Sequence, residues 1–114
     1  MNFKDLSQLV GLLGNAGKIK EEAERFRARI AEIQAEGSAG GDMVSVRVNG
    51  QMEVQKVTLT QAAFELNDRE MLEDLIAAAT NQAIGKVREL INAEAQTMAQ
   101  GMGLPKGMNL PGLS

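Results

Sequence analysis

The sequence contains no cysteine and no histidine, and each absence excludes a kind of chemistry. Without cysteine, the chain has no disulfide, no thiolate nucleophile and no cysteine-based metal site. Without histidine, it lacks the usual general base and the commonest metal ligand. The sequence shows no other nucleophile–base pair or metal-binding set. We therefore expect that the protein is not an enzyme and needs no metal and no cofactor.

Aromatic residues are almost absent as well. Tryptophan and tyrosine are missing, and the only aromatic residues are Phe3, Phe26 and Phe64. Proteins that bind single-stranded nucleic acid usually stack the bases on aromatic side chains. Three phenylalanines at apolar helix or loop positions favour a role in the hydrophobic core instead.

Long hydrophobic runs are lacking too. The longest early run, residues 9–13, is interrupted by Gly11 and is too short for a signal sequence or a membrane span. At 114 residues the chain is expected to form one small domain. We therefore expect a soluble cytoplasmic protein without a membrane contact or a small-molecule substrate.

The net charge of −3 is concentrated in one acidic segment. Residues 65–74 hold five acids against Arg69, and the rest of the chain sums to +1. Carboxylates at the start of a helix interact well with its dipole, and no loop oxygen ligands accompany them, so a metal site is not indicated. A basic surface elsewhere on the molecule remains compatible with this composition.

Residues 40–59 form the only stretch with the alternation of a β-sheet. Val44, Val46 and Val48 alternate with polar residues, as in a half-buried strand. Asn49-Gly50 follows and predicts a hairpin turn, because both residues tolerate a positive φ.

The apolar residues of the second strand of this hairpin do not all point to the same face of the sheet. Between Val54 and Val57 the apolar positions switch faces, which predicts a β-bulge near residues 55–56. A two-residue turn would place Val46 opposite Glu53, whereas a three-residue loop pairs apolar residues. The pattern therefore leaves the loop length open.

The segment before the sheet is amphipathic. Residues 18–33 form a helix whose apolar stripe includes Ile19, Phe26 and Ile30. Its cations follow the two edges of that stripe, with Lys18, Arg25 and Arg29 on one edge and Lys20 and Arg27 on the other. Residues 1–17 have apolar residues at helical spacing but contain three glycines that each cost a helix about 1 kcal/mol, so we predict a marginal helix that acts as a flexible N-terminal arm.

A longer helix follows the sheet. We predict it over residues 68–98, with Asn67 as its N-cap and Phe64 and Leu66 packed into the core just before it. Such a helix is about 46 Å long and overhangs a strand of about 23 Å. A domain this small cannot bury the overhanging apolar residues alone, which predicts a two-fold homodimer. Residues 101–114 mix glycine, proline and methionine without a period and are predicted to be a disordered tail.

These motifs together resemble the YbaB/EbfC family of bacterial nucleoid-associated proteins. The resemblance covers roughly residues 18–95 and depends on an ordered set of motifs: Gly40-Gly41, Val44-x-Val46-x-Val48-Asn49-Gly50, Val54-x-x-Val57, and Met71-Leu72-Glu73-Asp74-Leu75-Ile76-x-x-Ala79-x-Asn81-x-Ala83. The chain departs from the family pattern in two loops. Thr60-Gln61 stands where the family commonly has Asp-Pro, and the glycine run ends in Asp42.

The resemblance implies an α+β fold over residues 18–100. The fold would consist of an N-terminal helix, a small antiparallel sheet of two or three strands and a long C-terminal helix. It also implies a strand near residues 33–37, where the sequence alone indicates a helix end and a loop. In the implied homodimer the sheets lie at the centre and helical arms project from it. The candidate dimer-interface residues are Val44, Val46, Val48, Val87, Leu90 and Ile91.

The resemblance further implies that the dimer binds double-stranded DNA in the nucleoid. No recognition motif such as a helix-turn-helix is present, so little base specificity is expected. The candidate DNA-binding residues are Lys18, Lys20, Arg25, Arg27, Arg29, Lys86 and Arg88. An alternative hypothesis is a protein-binding adaptor whose helical arms grip a partner protein, with the acidic segment facing a basic partner.

Overall fold

A computed structural model describes the backbone of residues 3–101 and 103 and the side chains of residues 16–101 and 103. Helix α1 (Phe3–Glu32) leads into strands β1 (Gln34–Ala39), β2 (Val44–Asn49) and β3 (Val54–Leu59). A short helix, α2 (Gln61–Glu65), and the long helix α3 (Arg69–Gly101) complete the fold. The predicted α+β architecture is confirmed, and the strand that the resemblance implied is present as β1.

The predicted N-terminal arm and the predicted C-terminal tail both extend beyond the residues that the structure describes. The backbone is helical from Phe3, so α1 includes most of the predicted N-terminal arm, whose flexibility stays a prediction. The predicted disordered tail lies outside the described residues except for Gly101 and Gly103.

The three strands form one antiparallel sheet in the order β1-β2-β3. Residues 50–52 form a three-residue loop closed by the bond from Asn49 N to Glu53 O at 3.0 Å, and Val46 lies opposite Val57. Arg47 pairs with Lys56 and Val48 with Val54, so Gln55 is the extra residue of a β-bulge. The predicted bulge is confirmed, and the loop is the longer of the two alternatives.

Gly50 is required in this hairpin for a reason other than the predicted one. The positive φ of the loop lies at Met52, at 62°, and not at Asn49 or Gly50. A Cβ at Gly50 would instead lie 2.1 Å from the carbonyl oxygen of Ile30. Substitution of Gly50 is still expected to destabilise the fold, but through a clash with α1.

The core lies between α3 and the sheet. Val44, Val46, Val48 and Val87 are fully buried within a single chain. They therefore pack inside the protomer, and the prediction that these four form a dimer interface is wrong. Of the six predicted interface residues, Leu90 is exposed and Ile91 is partly exposed, and both remain accessible to a partner.

Beyond the sheet, α3 pairs with α1 in an antiparallel helical arm. Arg29 Nη1 lies 3.2 Å from Glu94 Oε2, and Ala95 and Ala99 are buried where the two helices run side by side. The arm gives the molecule an elongated shape of 75 × 20 × 20 Å. Since α1 of the same chain covers part of the overhang, the overhang alone supports a dimer less strongly than the sequence suggested.

The connection between β3 and α3 contradicts the prediction for Phe64. Thr60 caps α2 by accepting a hydrogen bond from Ala63 N, and Ala63 is the residue that is buried. Phe64 is 75% exposed. The predicted place of Phe64 in the core is therefore wrong for the single chain, and Leu66 is only partly buried.

The N-cap of α3 is Asp68 and not the predicted Asn67. Asp68 Oδ1 accepts a hydrogen bond from Met71 N at 3.0 Å, whereas Asn67 has a φ of 51°. We expect Asp68→Ala to lower the free energy of unfolding by about 1 kcal/mol, as for other lost N-caps. Asn67→Gly should change it by less than about 0.5 kcal/mol, because glycine accepts a positive φ. Urea unfolding of both variants tests this, and the reverse order would identify Asn67 as the cap.

Candidate nucleic-acid interface

The five predicted basic residues of α1 all lie on the surface of the helical arm, but they differ in their partners. Arg25 forms an ion pair with Glu22 at 2.9 Å, and Arg29 forms one with Glu94 at 3.2 Å. Lys18, Lys20 and Arg27 have no ion-pair or hydrogen-bond partner within the described part of the chain.

The structure thus separates the two basic edges of α1. On the edge with Lys18, Arg25 and Arg29, both guanidinium groups are engaged by carboxylates, that of Arg29 by Glu94 of α3, and only Lys18 on this edge has no partner among the described residues. The edge with Lys20 and Arg27 faces solvent with free charges. An exposed ion pair adds little to stability, but its carboxylate offsets the positive charge that a phosphate would meet. The free cations are therefore the better candidates for phosphate contacts.

The two predicted basic residues of α3 also have different roles. Lys86 Nζ donates a hydrogen bond to the carbonyl oxygen of Glu36 at 2.9 Å. Arg88 is exposed and has no such partner among the described residues. Lys86 therefore already supports the fold, whereas the guanidinium of Arg88 is available to a ligand.

Lys86 belongs to a pair of side chains that close one edge of the sheet. Gln82 Oε1 accepts a hydrogen bond from Ser38 N at 2.7 Å, next to the bond that Lys86 makes to Glu36. These backbone groups of β1 point away from β2 and would otherwise be open to a further strand. Covering an edge in this way prevents uncontrolled strand pairing. The outer edge of β3 has no paired strand among the described residues.

The acidic side chains lie at the other end of α3 from the tip of the arm. The sheet lies beside the first half of this helix, and Gly101 at its end lies against Glu22 of α1. A helix of this length spans about 50 Å, so the acidic end is far from Lys18 and Lys20. Within the described residues, no acidic cluster could hold a metal ion. The exposed carboxylates at this end of the molecule are Glu65, Asp68, Glu70, Glu73 and Asp74.

The sequence pattern did not indicate an apolar surface that the structure shows on β3. Val54, Val57 and Leu59 are 49%, 45% and 40% exposed, although they share a face with the core valines of β2. Helix α3 covers β1 and β2 and leaves this third strand bare. We call these three residues the β3 apolar face. The strand pairing could have revealed it, because each residue lies opposite a core valine.

No helix among the described residues is both long and apolar enough to cross a lipid bilayer.

Comparison with known proteins gives consistent results. The model of the YbaB/EbfC DNA-binding family matches residues 4–102. A nucleoid-associated protein of Mesorhizobium japonicum is 33% identical over 93% of this chain and 99% of its own length. One of Pseudomonas fluorescens is 35% identical over 90% of this chain and 95% of its own.

The fold is also found in a solved structure. The crystal structure of an uncharacterized protein from Helicobacter pylori superposes with a TM-score of 0.63 at 28% sequence identity. The match covers 86% of this chain and 97% of the other. Both the fold and the order of the elements are therefore shared over most of each chain.

Proposed function

We propose that this chain, which belongs to the YbaB/EbfC DNA-binding family, is a nucleoid-associated protein of the bacterial cytoplasm. In this proposal it binds duplex DNA as a homodimer. The helical arms carry the basic surface, and contacts to the phosphate backbone dominate over base contacts. The observation that carries this proposal is the set of free, exposed cations on the arm: Lys18, Lys20, Arg27 and Arg88.

The dimer is proposed to form through the β3 apolar face. An isologous contact places the same surface of each protomer against its two-fold copy. The bare face of β3 meets this requirement, and the open edge of the strand adds unpaired backbone groups. The β1 edge of the sheet is unsuitable for such a contact, because the side chains of Gln82 and Lys86 already close it. Leu90 and Ile91 on α3 remain further candidates.

DNA binding by such arms is electrostatic. Four free cations per protomer give at most about eight phosphate contacts in a dimer, which corresponds to a slope of log K against log salt of about −7. Exposed carboxylates on α1, Glu21 and Glu24 among them, reduce the potential, so the measured slope should be smaller. Because the sequence contains no recognition motif such as a helix-turn-helix, affinity should depend little on the DNA sequence.

The expected test compares two pairs of substitutions on the same helix. Lys20→Gln with Arg27→Gln removes two free charges per protomer, and the slope should fall by about four units per dimer if all four make contacts. Arg25→Gln with Arg29→Gln removes the same number of charges, but these are paired with carboxylates. It should therefore weaken binding much less. Fluorescence anisotropy with unrelated duplexes at several salt concentrations measures both.

Two outcomes would contradict the proposal. If the wild-type protein binds no duplex even at low salt, DNA is not its ligand and the adaptor hypothesis becomes the better one. If both double variants weaken binding equally, the free edge of α1 is not the contact surface.

A further inference from the structure

The face of the sheet that points away from α3 is polar and uncovered. Successive side chains on a strand point to opposite faces, so the residues between the buried valines of β2 lie on this outer face. Ser45 and Arg47 belong to it, and the pairing of the strands places Thr58 and Lys56 of β3 directly beside them. We call these four residues the outer-face cluster.

Within this cluster, two cations oppose each other. Arg47 and Lys56 are cross-strand partners, and like charges in that position destabilise a sheet. Arg47 Nη2 lies 3.5 Å from Glu36 Oε1, a long contact between two solvent-accessible groups. Lys56 has no ion-pair or hydrogen-bond partner in the described part of the chain. The repulsion between the two cations is thus only partly relieved by the protein itself.

The neighbouring pair supplies hydroxyl groups. Ser45 and Thr58 are cross-strand partners, two residues along each strand from Arg47 and Lys56 and on the same face. Hydroxyl donors and an arginine fork are the groups that proteins use to bind phosphate oxygens. A phosphate between Arg47 and Lys56 would replace their repulsion with attraction to a shared anion.

We propose that the outer-face cluster is a second phosphate-binding site, which holds the DNA backbone at the centre of the molecule while the arms hold it on either side. This inference rests on the proposed function, because its ligand is the same duplex. Neither the arms nor their basic residues are part of this surface. In a dimer formed through β3, the two clusters would lie on either side of the two-fold axis.

The carboxylates on this face limit the affinity of the site. Glu36 on β1 lies beside Arg47 on β2. Glu53 lies at the hairpin end of the sheet, with its Oε1 atom 3.5 Å from Asn49 Nδ2. They offset the charge of the two cations, so the cluster acts together with the arms and not alone. Its contribution is therefore best seen in the salt dependence of duplex binding.

The experiment uses the full chain with Arg47→Gln and Lys56→Gln together. Four cations per dimer are removed, and the slope of log K against log salt should fall by two to about four units, with weaker binding to every duplex. Folding should be unchanged or slightly improved, since a like-charge pair is removed. The control is Arg69→Gln, which removes a cation paired with Glu73 at the acidic end of α3 and should leave the slope unchanged.

The outcomes separate this inference from the proposed function. A variant that folds, dimerises and binds DNA with the wild-type slope overturns the outer-face site but leaves DNA binding by the arms intact. If the wild-type protein binds no duplex, both proposals fail. If the slope falls in Arg47→Gln with Lys56→Gln but not in Arg69→Gln, while sedimentation shows an unchanged oligomer, the site is supported.

Discussion

Replacement of Gly37 by alanine is expected to lower the free energy of unfolding by about 3 kcal/mol or more. Gly37 lies in the middle of β1, where a Cβ would approach the carbonyl oxygen of Ala79 to 2.1 Å and the nitrogen of Ala83 to 2.5 Å. Both are backbone atoms of α3 and cannot rotate away. Overpacking in a core typically costs about 1–3 kcal/mol, and a clash with helix backbone belongs at the upper end of that range.

Gly85→Ala is the matched control for this prediction. Gly85 lies in α3, and a Cβ there would meet nothing within 4 Å. Alanine is favoured over glycine inside a helix by about 1 kcal/mol, so this variant should be more stable than the wild type. Urea unfolding of the two single variants measures the contrast. Equal stability of Gly37→Ala and the wild type would mean that β1 does not pack this closely on α3.

The same close approach explains why β1 was hard to predict. Its sequence, QAEGSA, contains none of the β-branched or aromatic residues that favour strands. The segment becomes a strand because it pairs with β2 and because Gly37 lets α3 lie on it. These are tertiary effects that leave no local periodicity. By contrast, the alternation of Val44, Val46 and Val48 predicted β2 directly, since every second residue of this strand lies on its buried face.

The caps and contacts of side chains were predictable only in part. Asn67 and Asp68 are both good N-cap residues, and the sequence does not distinguish adjacent candidates. The pattern of α1 predicted that its cations lie on two edges but could not show which of them pair with carboxylates. That distinction depends on the ion pair between Arg29 and Glu94, which are 65 residues apart in the chain.

Phe64 and the β3 apolar face differ from prediction for a related reason. Phe64 was predicted to lie in the core, yet within one chain both Phe64 and the β3 apolar face are exposed. Soluble monomers seldom leave a contiguous apolar surface bare, so such a surface usually marks an interaction site. The sequence predicted a dimer from the overhanging helix, whereas the dimer proposed above would form through the third strand.

Replacement of Val57 by glutamate is therefore expected to dissociate the proposed dimer. Val57 is at the centre of the β3 apolar face, and two-fold symmetry would bring two new carboxylates into one interface. Like charges in an interface cost several kcal/mol, which corresponds to a dissociation constant raised on the order of 100-fold or more. At micromolar concentration the wild type should sediment at about twice 12.2 kDa and the variant at the monomer mass.

Thr58→Glu provides the control for self-association, since it adds the same charge to the next residue on the opposite face of β3. It should remain dimeric. Val57→Glu should also halve the slope of log K against log salt for duplex binding, because a monomer presents one arm instead of two. If Val57→Glu sediments as the wild type does, the β3 apolar face is not the interface. The contact would then have to involve Leu90 and Ile91, which are the other accessible apolar residues predicted for it.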